Sequence, residues 1–160
     1  MRNYEFRVNP FDPEGLILVE QYVIDQIRPH LQLDVSRPEA GGILLGYRRG
    51  PHLHVTDLTL PISEDKATRT AFYRSASGHQ EVATALWKQS NGKMDYLGEW
   101  HTHPQEHPFP SFIDTKEWRL ILSRNRHYMV FFIAGNESSN WIGIGNGNQI
   151  AETMPAQDLR

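Results

Sequence analysis

The sequence predicts an α+β domain in which helices flank a sheet, an α/β/α layering. Three observations point to it: short β-branched apolar runs bounded by Gly, Pro and Asn, separate stretches with helical spacing or composition, and the interleaving of the two along the chain. At 160 residues the chain has the size of one unit with one core, and we expect a single domain over 1–160.

From Glu14 to Leu33, the residues Leu16, Val19, Val23, Ile27 and Leu31 recur at spacings of three and four, which predicts an amphipathic helix that Pro29 stops or kinks. Gly41 to Tyr47 and His52 to Pro61 read as two antiparallel strands joined by Arg48-Arg49-Gly50-Pro51. Asp65 to Ser77 is polar and carries no clear period. A second helix is expected from Gly78 to Ser90, stopped by Asn91-Gly92, followed by a strand from Met94 to His103. Prolines 104, 108 and 110 hold the next loop out of helix, and Ser111 is placed to cap a third helix to about Ser123. His127 to Ala134 and Asn140 to Gly145 are two further strands with residues 135–139 as their turn.

The bulk properties exclude several classes. A net charge of −3 lacks the concentrated positive field that nucleic acid requires, and the short runs at Arg48-Arg49 and Arg124-Asn125-Arg126 read as solvated surface. The absence of cysteine removes disulfides, thiolate zinc sites and a cysteine nucleophile, so any metal must use nitrogen and oxygen ligands. The opening residues lack the apolar core of a signal peptide, and no stretch reaches the ~18 apolar residues of a membrane span. A cytoplasmic location is the expectation.

The chemistry is concentrated in Glu99-Trp100-His101-Thr102-His103-Pro104, followed after six residues by Ser111 and then Asp114. Side chains two apart on a strand share a face, with Cα atoms about 6–7 Å apart, so the two imidazoles can converge on one ion. A tetrahedral catalytic zinc needs three protein ligands and an open position, and Asp114 in the first turn of the next helix would complete the set. His52-x-His54 has the same spacing but no following Ser-x-x-Asp, and reads as two residues on one sheet face.

The pattern His101-x-His103-Pro104, six residues, Ser111-x-x-Asp114 resembles the metal-binding motif of the JAMM (MPN+) peptidases at every signature position. Glu39-Ala40 followed by the Gly41–Gly46 strand is similar to the family's glutamate and glycine-rich apolar strand. The resemblance implies a curved mixed sheet flanked by helices, the JAMM/MPN-like or cytidine-deaminase-like fold. It also implies one zinc per chain on His101, His103 and Asp114, with Glu39 as general base and Ser111 stabilising the tetrahedral intermediate of peptide or isopeptide hydrolysis.

The compact form looks like the prokaryotic deconjugating peptidases of anti-phage cyclic-oligonucleotide (CBASS) systems. The substrate so implied is a ubiquitin-like or other conjugated protein, such as a CBASS nucleotidyltransferase joined to its targets through its C-terminus. Two alternatives stay open: trimming of a sulfur-carrier or ubiquitin-like precursor, and a metal-free MPN scaffold that binds partners without catalysis.

Alternatives also remain within the site. Ser111 has a bland explanation as helix cap. Strict alternation puts Glu99 on the face of the histidines, making it a rival base unless Gly98 turns it away or an arginine pairs with it. Glu106 and His107 in the loop are expected to face solvent or substrate. Trp100, Phe112 and Trp118 are expected mainly in the core, and Phe109 is the candidate groove contact. Gly41-Gly42 would mark either a bulge or a place where an extended peptide can approach the backbone.

Overall fold

The computed structural model describes residues 4–34, 36–137 and 139–156. In chain order its elements are β1 (Glu5–Val8), β2 (Leu16–Val19), α1 (Gln21–Ile27), β3 (Gly41–Arg49), β4 (His52–Leu58), β5 (Lys66–Ala67), β6 (Phe72–Tyr73), α2 (Ala76–Gln89), β7 (Asp95–Thr102), α3 (Phe112–Ser123), β8 (Met129–Ala134), β9 (Asn140–Asn146), β10 (Gln149–Glu152) and β11 (Met154–Pro155). A 3-10 turn, Arg28–His30, extends α1.

Nine strands make one mixed sheet in the order β10-β9-β8-β7-β3-β4-β2-β1-β11, and β5 and β6 form a separate hairpin. The pairs β7/β8 and β2/β4 are parallel and the others antiparallel. One residue, Thr153, separates β10 at one edge from β11 at the other, so the sheet must curl until its edges meet. The Thr153 amide donates to the Ile142 carbonyl at 2.9 Å and the Ala156 amide to the Phe6 carbonyl at 2.8 Å, lacing the two sides together.

Burial follows the pleat. In β8, Val130, Phe132 and Ala134 point into the main core with Ile17, Val55 and Trp100, while Met129, Phe131 and Ile133 point out under α3 with Trp118, Leu122 and Trp141. Both faces being covered, the strand reads as a continuous apolar run. Val23 and Ile27 of α1 cover the inner face. On the outer side Ala83 and Leu86 of α2 lie over Ile43, Leu45 and Met94. The helix–sheet–helix layering and the curved mixed sheet are therefore as expected.

The helix expected over Glu14–Leu33 is corrected: its first part is β2, and only Gln21–Ile27 is α-helical. Leu16-Ile17-Leu18-Val19 finds partners on both sides, β1 antiparallel and β4 parallel, and Ile17 and Val19 are buried in alternation. Pairing on two edges outweighs a three-and-four spacing that merely spans the strand–helix junction. His52 and His54 help hold it. The His52 Nδ1 accepts the Leu16 amide proton at 3.1 Å, and the His54 Nε2 meets Glu20 at 2.6 Å.

The stop at Asn91-Gly92 is as expected: both residues have positive φ, and the Gly92 amide donates to the Trp87 carbonyl at 2.7 Å. The unplaced polar stretch contains the β5–β6 hairpin. Gly41 and Gly42 carry no register shift; it falls between Leu44 and Gly46 instead. A Cβ on Gly41 would lie 2.7 Å from the Phe72 ring, and one on Gly42 only 2.1 Å from the Thr59 carbonyl oxygen, so packing of the chain against itself requires both glycines. Among the described residues no helix is long and apolar enough to cross a membrane.

Candidate metal centre and active site

The centre sits where β7 ends beside α3. On β7, Leu97 and Trp100 both face the inner core because the β3–β7 register slips, with Gly98 opposite Leu44 and Tyr96 opposite Leu45. The slip lies before Glu99, so Glu99, His101 and His103 keep one face, as alternation demands. Gly98 permits this, since a Cβ there would fall 1.7 Å from the Val130 carbonyl oxygen. Past the strand, the His103 amide donates to the Ala134 carbonyl at 2.9 Å, holding the next residue in line.

The third group comes from α3. The Ser111 hydroxyl accepts the Asp114 amide proton at 3.1 Å, and the Asp114 carboxylate accepts the Ser111 amide proton at 2.8 Å, a reciprocal capping box. Trp118, one turn further on, stacks on Phe131 and Trp141 with centroids 4.5 and 5.5 Å away and lies 5.9 Å from the His101 ring. That packing pins the helix so that Asp114 faces the histidines.

The His101 and His103 Nε2 atoms are 3.1 Å apart; Asp114 Oδ1 is 3.3 Å from His101 Nε2, and Asp114 Oδ2 is 3.1 Å from His103 Nε2. An ion with tetrahedral bonds of about 2.0–2.1 Å sets its ligand atoms about 3.3 Å apart. The donor set therefore fits one zinc-sized ion, and it is the group of His, Asp and Glu side chains among the described residues that converges in this way. The His103 Nδ1 is 3.2 Å from Gln105 Oε1, so the ring can donate there and turn its Nε2 lone pair toward the other two ligands.

Glu39, 5% exposed, places Oε1 3.6 Å from His103 Nε2. Burial pushes its carboxyl up to about 7, against the pull of His101 and His103, and Asp114 adds to the rise. For Asp114, burial acts upward too, but hydrogen bonds from both histidines and the Ser111 amide outweigh it and hold the carboxyl well below the usual carboxylate range. Burial disfavours the charged His103 ring, yet Asp114 and Glu39 more than compensate and raise its pKa. Two carboxyls within one site are thus driven apart, one kept as an anion and one poised to exchange a proton near neutrality.

Glu99 is held by Arg74 instead. Both line a cleft of about 400 Å³ that also exposes Glu39, His101 and Asp114, with Phe72 on its hairpin side and Ile113 on its helix side. Phe109 is exposed but does not line this cleft, and Phe112 is 80% exposed rather than core, unlike the buried Trp100 and Trp118. A helix N1 residue next to the cap points to solvent when the stripe that docks the helix begins later, at Trp118. Glu106 and His107 are exposed, as expected. The sequence reading passed over Gln105, Arg74 and Phe72. Only Gln105, two residues from a ligand, left a local signal.

A family profile described as prokaryotic homologs of the JAB domain matches residues 20–144. The chain is 38% identical over 136 residues to a protein of Escherichia coli strain TW11681 named "CD-NTase/cGAS isopeptidase", covering 85% of each. It is 38% identical over 115 residues to a Pseudomonas aeruginosa protein of the same name (72% of this chain, 73% of the other). A Vibrio cholerae protein, again so named, is 36% identical over 132 residues (82% and 83%). A solution structure of a Desulfitobacterium hafniense protein shares the fold, with a TM-score of 0.58 at 19% identity over 84% of this chain and 87% of that one.

Proposed function

Because the chain belongs to the family of prokaryotic homologs of the JAB domain, we propose that it is a zinc-dependent isopeptidase that releases a conjugated CD-NTase-type nucleotidyltransferase from its targets. The observation that carries this reading is the convergence of two imidazole nitrogens 3.1 Å apart on the two oxygens of one carboxylate, at 3.3 and 3.1 Å, with a second, buried carboxyl 3.6 Å from one of the nitrogens. The substrate class follows from relatives named "CD-NTase/cGAS isopeptidase" that align with most of this chain.

His101, His103 and Asp114 would hold one zinc, which when bound supplies an activated water at neutral pH and polarises the scissile carbonyl. Glu39 takes the proton of the attacking water and returns it to the leaving nitrogen, a role suited to a carboxyl poised near 7. The Ser111 hydroxyl accepts at the helix cap and keeps its own proton to donate to the developing oxyanion. The cleft receives the conjugate's tail between the Phe72 and Ile113 walls.

Incubating a nucleotidyltransferase conjugate with the purified chain, with and without a chelator, tests the reading by mass spectrometry of the products. Chelator-sensitive release of the intact modifier is expected; cleavage that ignores the chelator removes the mechanism, and no cleavage with zinc present favours a binding scaffold. A second measurement isolates Gln105. Gln105→Ala should weaken zinc retention about 10–100-fold in chelator competition by freeing the His103 ring, and an unchanged competition curve would deny it that role.

A further inference from the structure

Outside the metal centre, one buried set of polar side chains centres on a histidine. His79, 1% exposed, is the buried residue of α2, and it lies between Thr59 and Asp65. Its Nδ1 meets the Thr59 hydroxyl, and its Nε2 lies 2.9 and 3.0 Å from the two Asp65 oxygens. The Thr59 hydroxyl also accepts the Ile43 amide proton at 2.9 Å. With a neutral imidazole every proton has a place: Ile43 N–H to Thr59, Thr59 O–H to Nδ1, Nε2–H to the Asp65 carboxylate. Thr59 and His79 do not line the cleft, so this hydroxyl–imidazole–carboxylate set meets no substrate.

The set does hold the hairpin that walls the cleft. Asp65 precedes β5, and its carboxylate accepts the amide protons of Ile62 at 2.8 Å and of Ser75, just past β6, at 2.6 Å, closing the hairpin's base. At the tip, the Thr68 carbonyl accepts the Glu39 amide proton at 2.7 Å. The neighbouring Arg69 carbonyl accepts from Gln32, which in turn accepts from the Thr102 hydroxyl between the two histidines. The Thr59 carbonyl takes the Trp100 indole proton at 2.9 Å. Strands of two residues each are too short to persist alone, so what fixes the base fixes the tip.

We propose that Asp65 and His79 are positioning residues for Glu39: they lock the 66–73 hairpin whose tip holds the Glu39 backbone, without touching metal ligands or substrate. The kinetic consequence rests on the isopeptidase reading above, whereas the structural one does not.

The test uses the full, zinc-loaded chain as Asp65→Asn and His79→Gln, both close in size to the native residues, with Thr59→Ser as the variant that keeps the hydroxyl. Amide hydrogen exchange is followed at Glu39 and Ser75, with Val130 to Ile133 of β8 as the marker of global stability. Exchange at Glu39 and Ser75 is expected to quicken about tenfold or more in the first two variants while β8 is unchanged, as for a local opening. Thr59→Ser should behave as the native chain. Zinc retention against a chelator should stay within about twofold, and kcat on the conjugate should fall about tenfold, the range over which a displaced catalytic group loses rate.

Unchanged protection at Glu39, equal loss of protection in β8, or loss of zinc overturns the proposal. Altered exchange in a chain that cleaves no conjugate even in native form would overturn the isopeptidase reading and leave the positioning role intact.

Discussion

Replacing Glu39 with glutamine is expected to lower turnover of a conjugate by a factor of about 10²–10⁴, the usual contribution of a positioned general base, while leaving zinc content unchanged. The amide keeps the size of the side chain but cannot accept and return a proton beside His103. Glu99→Gln provides the contrast: Glu99 shares the face of the histidines but is already paired with Arg74, so its loss should leave kcat within a few-fold of native. Steady-state kinetics with elemental analysis decide between them, and an active, zinc-loaded Glu39→Gln chain would strip Glu39 of its role.

The same substitution has a stability signature in the metal-free chain. The Glu39 carboxyl rises from its ordinary 4.5 to about 7 on folding, so between those values the native chain holds a proton that the unfolded chain has released. Stability therefore falls as pH rises through that window, by up to about 3 kcal/mol, and nothing is lost below it. Metal-free Glu39→Gln should be more stable than native at pH 8 and equal to it near pH 4, as read by denaturant unfolding. A difference that persists at pH 4 would assign the effect to packing.

Asp114→Ala should abolish both zinc binding and cleavage, because it removes the one anionic ligand of the three and leaves two imidazoles where a catalytic zinc needs three protein ligands. It also dismantles half of the capping box, costing about 1 kcal/mol. Ser111→Ala separates the two effects. It forfeits a similar amount of helix stability and the hydroxyl donor, but retains the three ligands and hence the metal. Elemental analysis and thermal unfolding of both variants give the test, and stoichiometric zinc on Asp114→Ala would dissolve the proposed centre.

Much of this was legible because it is local. His101 and His103 share a face through the pleat, and Ser111 and Asp114 are bound by a box that closes over three residues. The continuous apolar run of β8 and the stop at Asn91-Gly92 are likewise written within a few positions. What escaped depends on distant partners. β2 was hidden because a wholly apolar run, Leu16 to Val19, supplies residues to a helical stripe as readily as to a strand, and only β1 and β4 choose between them. The hairpin wall was illegible because Phe72 is placed by Gly41 and Asp65 by His79, contacts with no period in the chain. Glu39 is brought to the histidines by the β3–β7 ladder, which the residues around Glu39 do not encode.

The seam at Thr153 bears on how the edges of the large sheet are presented to other chains. Among the described residues, the ladder ends of the large sheet are strands of only four and two residues, which give a stray chain little to template upon. The segment Met129-Val-Phe-Phe-Ile-Ala134 has the makings of a steric zipper, yet two strands cover it on one side and six on the other. From the β10 side, neighbours could reach it only once β10 and β9 peel away, and Thr153 resists the first of these steps by donating both its amide and its hydroxyl to the Ile142 carbonyl, at 2.9 and 2.7 Å.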